Sequence, residues 1–137
     1  MDSLEVVEAI KQKFFATGNP TKIPLLSRQR NFDAEMIEGG IRVSNLGNQP
    51  FLPWIVFQEA ICVLIRNGGR AKRGDAMNAK LGEPGLPMDS IEGHIAQVVY
   101  GKREGDSIFR RITPIACILI WASVCAPAPG KLVLISK

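Results

Sequence analysis

The chain is predicted to fold as one α+β domain, and three features of the sequence carry that reading. Apolar residues recur at helical spacing, as in Leu4, Val7, Ile10 and Phe14. The stretch Phe32 to Ser44 instead alternates apolar and polar side chains about a Gly39-Gly40 turn, which is the pattern of a β-hairpin. No internal repeat, low-complexity tract or linker interrupts the 137 residues, a length suited to a single core.

Each element follows from local chemistry. Asp2 with Glu5 resembles a capping box, so a helix is expected to run to Ala16, where Gly18-Asn19-Pro20 stops it. The hairpin follows, and residues 45–53 read as a connecting loop. Pro53 stands where a helix would begin, and Trp54, Phe57, Ile61, Leu64 and Ile65 give that helix a wide apolar face. A short helix is expected over 71–81, with Met77 and Leu81 one turn apart, and then a turn over 82–87 that its prolines and glycines keep out of helix. Asp89 and Glu92 form a second capping-box pattern ahead of a helix over 89–100, whose buried stripe would be Ile91, Ile95, Val98 and Val99. Residues 102–106 are a polar turn and 108–112 a short strand. Thr113-Pro114 then starts a helix that is apolar nearly all round. Pro127 to Gly130 breaks the chain before a last buried strand, Leu132 to Ile135.

With 46% hydrophobic and 22% charged residues, the composition is that of a globular protein. The N-terminus lacks the positive charge of a secretory leader, and Ile115 to Ala126 is shorter than the ~20 residues that span a bilayer. Cys62, Cys117 and Cys125 lie in apolar patterns without CxxC spacing and read as reduced core residues, so a cytoplasmic location is expected. The net charge is +4, unevenly distributed. Residues 1–65 carry six basic and seven acidic side chains, residues 66–111 carry nine and six, and residues 112–137 add two lysines. A polyanion-binding surface belongs in the middle and C-terminal parts.

From Pro53 to Ile112 the order helix, helix, turn, helix, wing resembles the winged helix-turn-helix superfamily. On that basis residues 53–137 form a winged helix-like core and residues 1–52 an N-terminal helix and hairpin extension, with the apolar C-terminal helix outside the matched part. The resemblance implies double-stranded DNA as partner, read by a third helix in the major groove. That helix would present Ser90, Gly93, His94 and Gln97. Lys102, Arg103, Arg110 and Arg111 would form a wing on phosphates or in the minor groove, with only one of the adjacent arginines needed there. Arg70, Lys72 and Arg73 would grip the backbone ahead of the second helix. Gly93 has two readings, close approach of a partner and tight packing against another helix. The turn over 82–88 is longer than a compact helix-turn-helix uses, and Glu92 would repel phosphate unless it caps its helix.

Enzymatic chemistry has little to stand on. His94 is the single histidine, no metal-ligand spacing occurs, and the glycines from Gly69 to Gly74 lack the Lys-Ser/Thr pair of a P-loop. No cofactor, metal, membrane or small-molecule substrate is expected. The leading expectation is therefore a sequence-specific DNA-binding protein, a transcriptional regulator or a DNA-targeting module, whose dimer would read half-sites a turn apart. The competing ones are a protein-interaction module that dimerises through Trp54 and Ile115 to Ala126, and a magnesium-dependent nuclease acting through Asp33 and Glu35.

Overall fold

The computed structural model describes residues 1–27 and 29–135. Asp2 accepts hydrogen bonds from the Leu4 and Glu5 amides, at 2.9 and 2.8 Å, and leads into helix α1 (Glu5–Thr17). Its buried stripe is Val6, Ile10 and Phe14. After Pro20 the chain forms a four-stranded antiparallel sheet in the order β1-β2-β3-β4, from Thr21–Pro24, Asn31–Ile37, Gly40–Val43 and Phe51–Pro53. The expected hairpin is its centre. A Cβ on Gly40 would lie 2.2 Å from the Leu52 carbonyl oxygen, so the approach of β4 requires glycine there. Outer strand β1 is added where the sequence gives no element, and outer strand β4 replaces part of the expected connecting loop over 45–53. They span only four and three residues, too few for alternation to show.

Pro53 turns β4 directly into α2 (Trp54–Arg66), which buries Val56, Phe57, Ala60, Ile61, Val63 and Leu64. Ile65 is exposed, contrary to its expected place on the apolar face. Residues 71–81 are not helical. Arg70–Lys72 forms β5, captured by β7 (Lys131–Leu134), and Asp75 closes a turn through the Met77 and Asn78 amides. Two apolar positions a turn apart are weak helical preference, and pairing with a distant strand overrides it. The loop over 82–90 folds over a small satellite core of Leu81, Leu86, Ala96 and Ile108.

Helix α3 (Ile91–Val98) is capped by Ser90, whose Oγ accepts from the Gly93 amide at 3.0 Å, and not by the Asp89–Glu92 pair. It buries Ile91, Glu92, Gly93, Ile95 and Ala96, whereas Val98 is 56% exposed. The helix is covered from two sides, by α2 and by the 108–111 segment, so its buried face is broader than an isoleucine stripe suggests. That segment belongs to no sheet, and the expected wing strand is an irregular connection. Helix α4 (Ile112–Trp121) begins just before Thr113-Pro114 and buries Ile112 and Pro114 to Leu119. Ile112 and Ile115 to Leu119 belong to the main core, with Ile120 and Trp121 half-buried against it. Strand β6 (Cys125–Ala128) then pairs with β7 to complete a second antiparallel sheet in the order β5-β7-β6. Burial pushes the Cys125 thiol up to about 12 and raises that of Cys117, consistent with inert core cysteines. Among the described residues no helix is long and apolar enough to cross a membrane.

Candidate functional site

The face of α3 expected to read bases is turned into the protein. Ser90 and Gly93 are buried, and the Ser90 hydroxyl donates to the Pro87 carbonyl at 2.7 Å. The Gln97 amide donates to the Met88 and Gly93 carbonyls at 2.8 and 3.0 Å. His94 lies between two residues of α2: its Nε2 is 2.8 Å from Glu59 Oε1 and its Nδ1 is 3.4 Å from the Arg66 guanidinium. With a cation at Nδ1, the proton belongs on Nε2, donated to Glu59. These contacts clamp α3 to its neighbours, with Ser90 and Gly93 buried and His94 and Gln97 half-buried. Gln97→Ala is accordingly expected to lower stability by about 1–2 kcal/mol, read by urea unfolding, and to leave nucleic-acid affinity unchanged. A loss of affinity with intact stability would reinstate Gln97 as a contact.

Arg111 is also withdrawn from solvent. Its guanidinium stacks 3.6 Å from the centre of the Tyr100 ring and 4.8 Å from that of Phe109, and donates to Gln49 Oε1 at 2.8 Å. Its backbone amide donates to both carboxylate oxygens of Glu92, at 3.1 and 3.2 Å. Glu92 thus neither caps its own helix nor faces outward; it caps α4 from across the core. Lys102 and Arg103 stand on the exposed 101–106 turn, with no sheet to make it a wing.

The remaining basic residues come together. In the β5–β7 ladder Arg70 pairs with Val133, Ala71 with Leu132 and Lys72 with Lys131. Alternation puts Ala71 and Leu132 on the buried face, and Arg70, Lys72 and Lys131 on the outer one. The neighbouring positions of β6 on that face are Ala126 and Ala128, opposite Val133 and Lys131, which leave the surface low and accessible. Lys72 and Lys131 also line a cleft of about 520 Å³ with Arg73 and Arg110, and a second one with Arg70. The cations therefore form one strip along the sheet edge. Asp75 and Asp89 are the acids on its walls. The Asp75 carboxyl is held below its usual range chiefly by the Asn78 side-chain amide, with a smaller contribution from Arg110. Among the described residues none of the five cations makes an ion pair, whereas Lys22 meets Asp33 at 2.8 Å and Arg42 meets Glu35 at 3.6 Å.

Asp33 and Glu35, the acids of the nuclease alternative, stand on the exposed face in cross-strand pairs with Lys22 and Arg42. No group of three His, Cys, Asp or Glu among the described residues is placed to hold a metal ion. Arg70, Lys72, Arg73 and Arg110 were legible as basic residues. Lys131 counts in the sequence only toward the C-terminal positive charge, because a single lysine opening an apolar strand acquires its place in the strip through its register with Lys72.

No protein-family model, curated protein or solved structure matches the chain.

Proposed function

We propose that the protein binds nucleic acid by its phosphate backbone, through the strip formed by Arg70, Lys72, Arg73, Arg110 and Lys131. The observation that carries this reading is the Lys72–Lys131 pair, two like charges directly opposite on one sheet face without a carboxylate partner among the described residues. Such a placement costs stability, roughly 0.2–1 kcal/mol, and a local rule broken without a structural gain points to a ligand that supplies the counter-charge. The strip extends over two adjoining clefts, which suits a polyanion chain better than one small anion. Cations of this kind carry affinity and register without reading sequence.

Duplex DNA, the partner expected from the sequence, is the first ligand to test. The winged helix arrangement is not the basis of this reading. Of the three helices that the sequence predicts for it, α2 and α3 form, but the chain between them is β5 and loop, and Ser90, His94 and Gln97 are engaged in contacts within the protein. A protein-interaction role finds less support, since the apolar C-terminal helix is core.

The Lys72→Ala/Lys131→Ala double variant is expected to weaken binding to all duplexes alike and to reduce the dependence of log affinity on log salt by about two. The same variant should be slightly more stable than the parent, by roughly 0.5 kcal/mol, because a repulsion is removed. Fluorescence anisotropy across a salt series and thermal unfolding read the two effects. Unchanged affinity, or no salt-sensitive binding by the parent, would overturn the proposal.

A further inference from the structure

Arg110 separates the basic cleft from another of about 480 Å³, and both cavities share Arg110, Met77 and Thr113 in their walls. The guanidinium of Arg110 lies against the Met77 sulfur, with Nη1 to Sδ 3.9 Å, so the two side chains form a common ridge. The far cleft has a different chemistry. It is lined by Asn45 and Asn48, by Phe109, whose ring also packs against the Arg111 guanidinium, and by Leu25 and Pro114, with Arg110 as its cation. Asn45 and Asn48 are exposed, and neither side chain has a hydrogen-bond partner among the described residues.

The loop that carries these amides is anchored. Gln49 Oε1 accepts from the buried Arg111 guanidinium, one residue beyond the ridge, and the Gln49 backbone N–H donates to the Leu46 carbonyl at 3.1 Å. One face of the cavity is therefore held in register with Arg110 before any ligand arrives, which lowers the ordering cost of binding.

We infer that this second cavity receives an unpaired nucleobase, so that the preferred ligand is a nucleic-acid strand with single-stranded character, its phosphates on the basic strip and one base beyond the Arg110–Met77 ridge. The inference rests on the phosphate-binding reading above. An aromatic ring and apolar walls take the face of a base, and free amides take its hydrogen-bonding edge. In a duplex those edges are paired and the faces stacked, so only an unpaired nucleotide can use them. The adjacency decides the order of parts: cations on one side of the ridge, amide and aromatic groups on the other.

The test compares a labelled single strand of ~12 nucleotides with the duplex of the same sequence, by anisotropy at one salt concentration. The single strand is expected to bind about tenfold more tightly. Asn45→Ala/Asn48→Ala changes only exposed side chains and should retain the fold, and Phe109→Leu keeps an apolar group at the wall. Each should lower the single-strand preference severalfold and leave duplex affinity within about twofold. Equal or tighter binding of the duplex would overturn the inference and leave the phosphate reading standing. Equal losses on both ligands in the asparagine double variant would do the same. Absence of binding to either ligand would overturn both readings. A mononucleotide that competes as well as the strand, nucleotide for nucleotide, would reassign the cavity to free nucleotides and overturn the strand inference.

Discussion

Replacing Gly93 by alanine is expected to destabilise the protein by about 3 kcal/mol, although alanine is the better helix former by up to about 1 kcal/mol. The added Cβ would lie 2.2 Å from the Pro87 carbonyl oxygen, 2.8 Å from Ser90 Oγ and 3.2 Å from Leu81 Cδ1. The first contact is with backbone and has no flexible end to move aside. Relief requires α3 to shift away from the 82–90 loop. That shift also opens the Ser90 cap, since its hydroxyl both accepts from Gly93 and donates to Pro87. Gly93→Val should be worse still, with two more carbons in the same space. Val98→Ala, at an exposed position of the same helix, should change stability by no more than about 0.5 kcal/mol and serves as the control. Urea unfolding of the three variants decides between the two meanings that a mid-helix glycine carries in the sequence. A Gly93→Ala variant as stable as the parent, but weakened in nucleic-acid binding, would restore the close-approach reading.

What the sequence discloses and what it hides follow from the range of the interactions involved. The central hairpin, α1, α2 and α4 are legible because their signals are local: alternation about Gly39-Gly40, helical spacing of Leu4, Val7, Ile10 and Phe14 (although Leu4 is exposed and Val6 takes its place in the buried stripe), and a proline at a helix start. Strands β1, β4, β5 and β6 span three or four residues each and exist through pairing with partners elsewhere in the chain. The register that sets Lys72 against Lys131 is the clearest case, because no inspection of either segment alone reveals it. The sequence misplaces two residues of α3, because Glu92 is charged and Val98 apolar, and the usual rule sends the first outward and the second inward. Packing on two sides reverses both. The small residues Gly93 and Ala96 were the available sign of that second contact, since a helix bare on that face would not need them.

Glu92 sets the largest expected pH effect in the protein. Its carboxylate is buried, and desolvation pushes its pKa up from 4.5 to about 7. The Arg111 and Ile112 amides at the start of α4 oppose that rise, followed by the charges of Arg111 and then Arg110, and Tyr100 is the other titratable group that interacts with it. Below pH 4.5 the side chain is protonated in both the folded and the unfolded chain, and it adds no pH dependence. Between 4.5 and about 7 the unfolded chain has released the proton and the folded one retains it, so stability falls as pH rises. Above that window both forms are ionised and the loss is constant, with an upper bound of about 3 kcal/mol. The parent should therefore unfold at a higher temperature at pH 5 than at pH 8, once measured against a Glu92→Gln variant under the same conditions. Glutamine keeps an oxygen for the Arg111 amide but cannot ionise, so the difference between the two profiles isolates this group. Glu92→Ala removes the acceptor altogether, orphans a buried amide and leaves a void. It should cost about 2–4 kcal/mol at pH 5, where the parent carboxyl is neutral and no relief of charge burial offsets the loss. Parallel profiles for the parent and Glu92→Gln from pH 5 to 8 would mean that the α4 amides and Arg111 hold Glu92 ionised throughout, and that the buried cap is a permanent charge without a pH response.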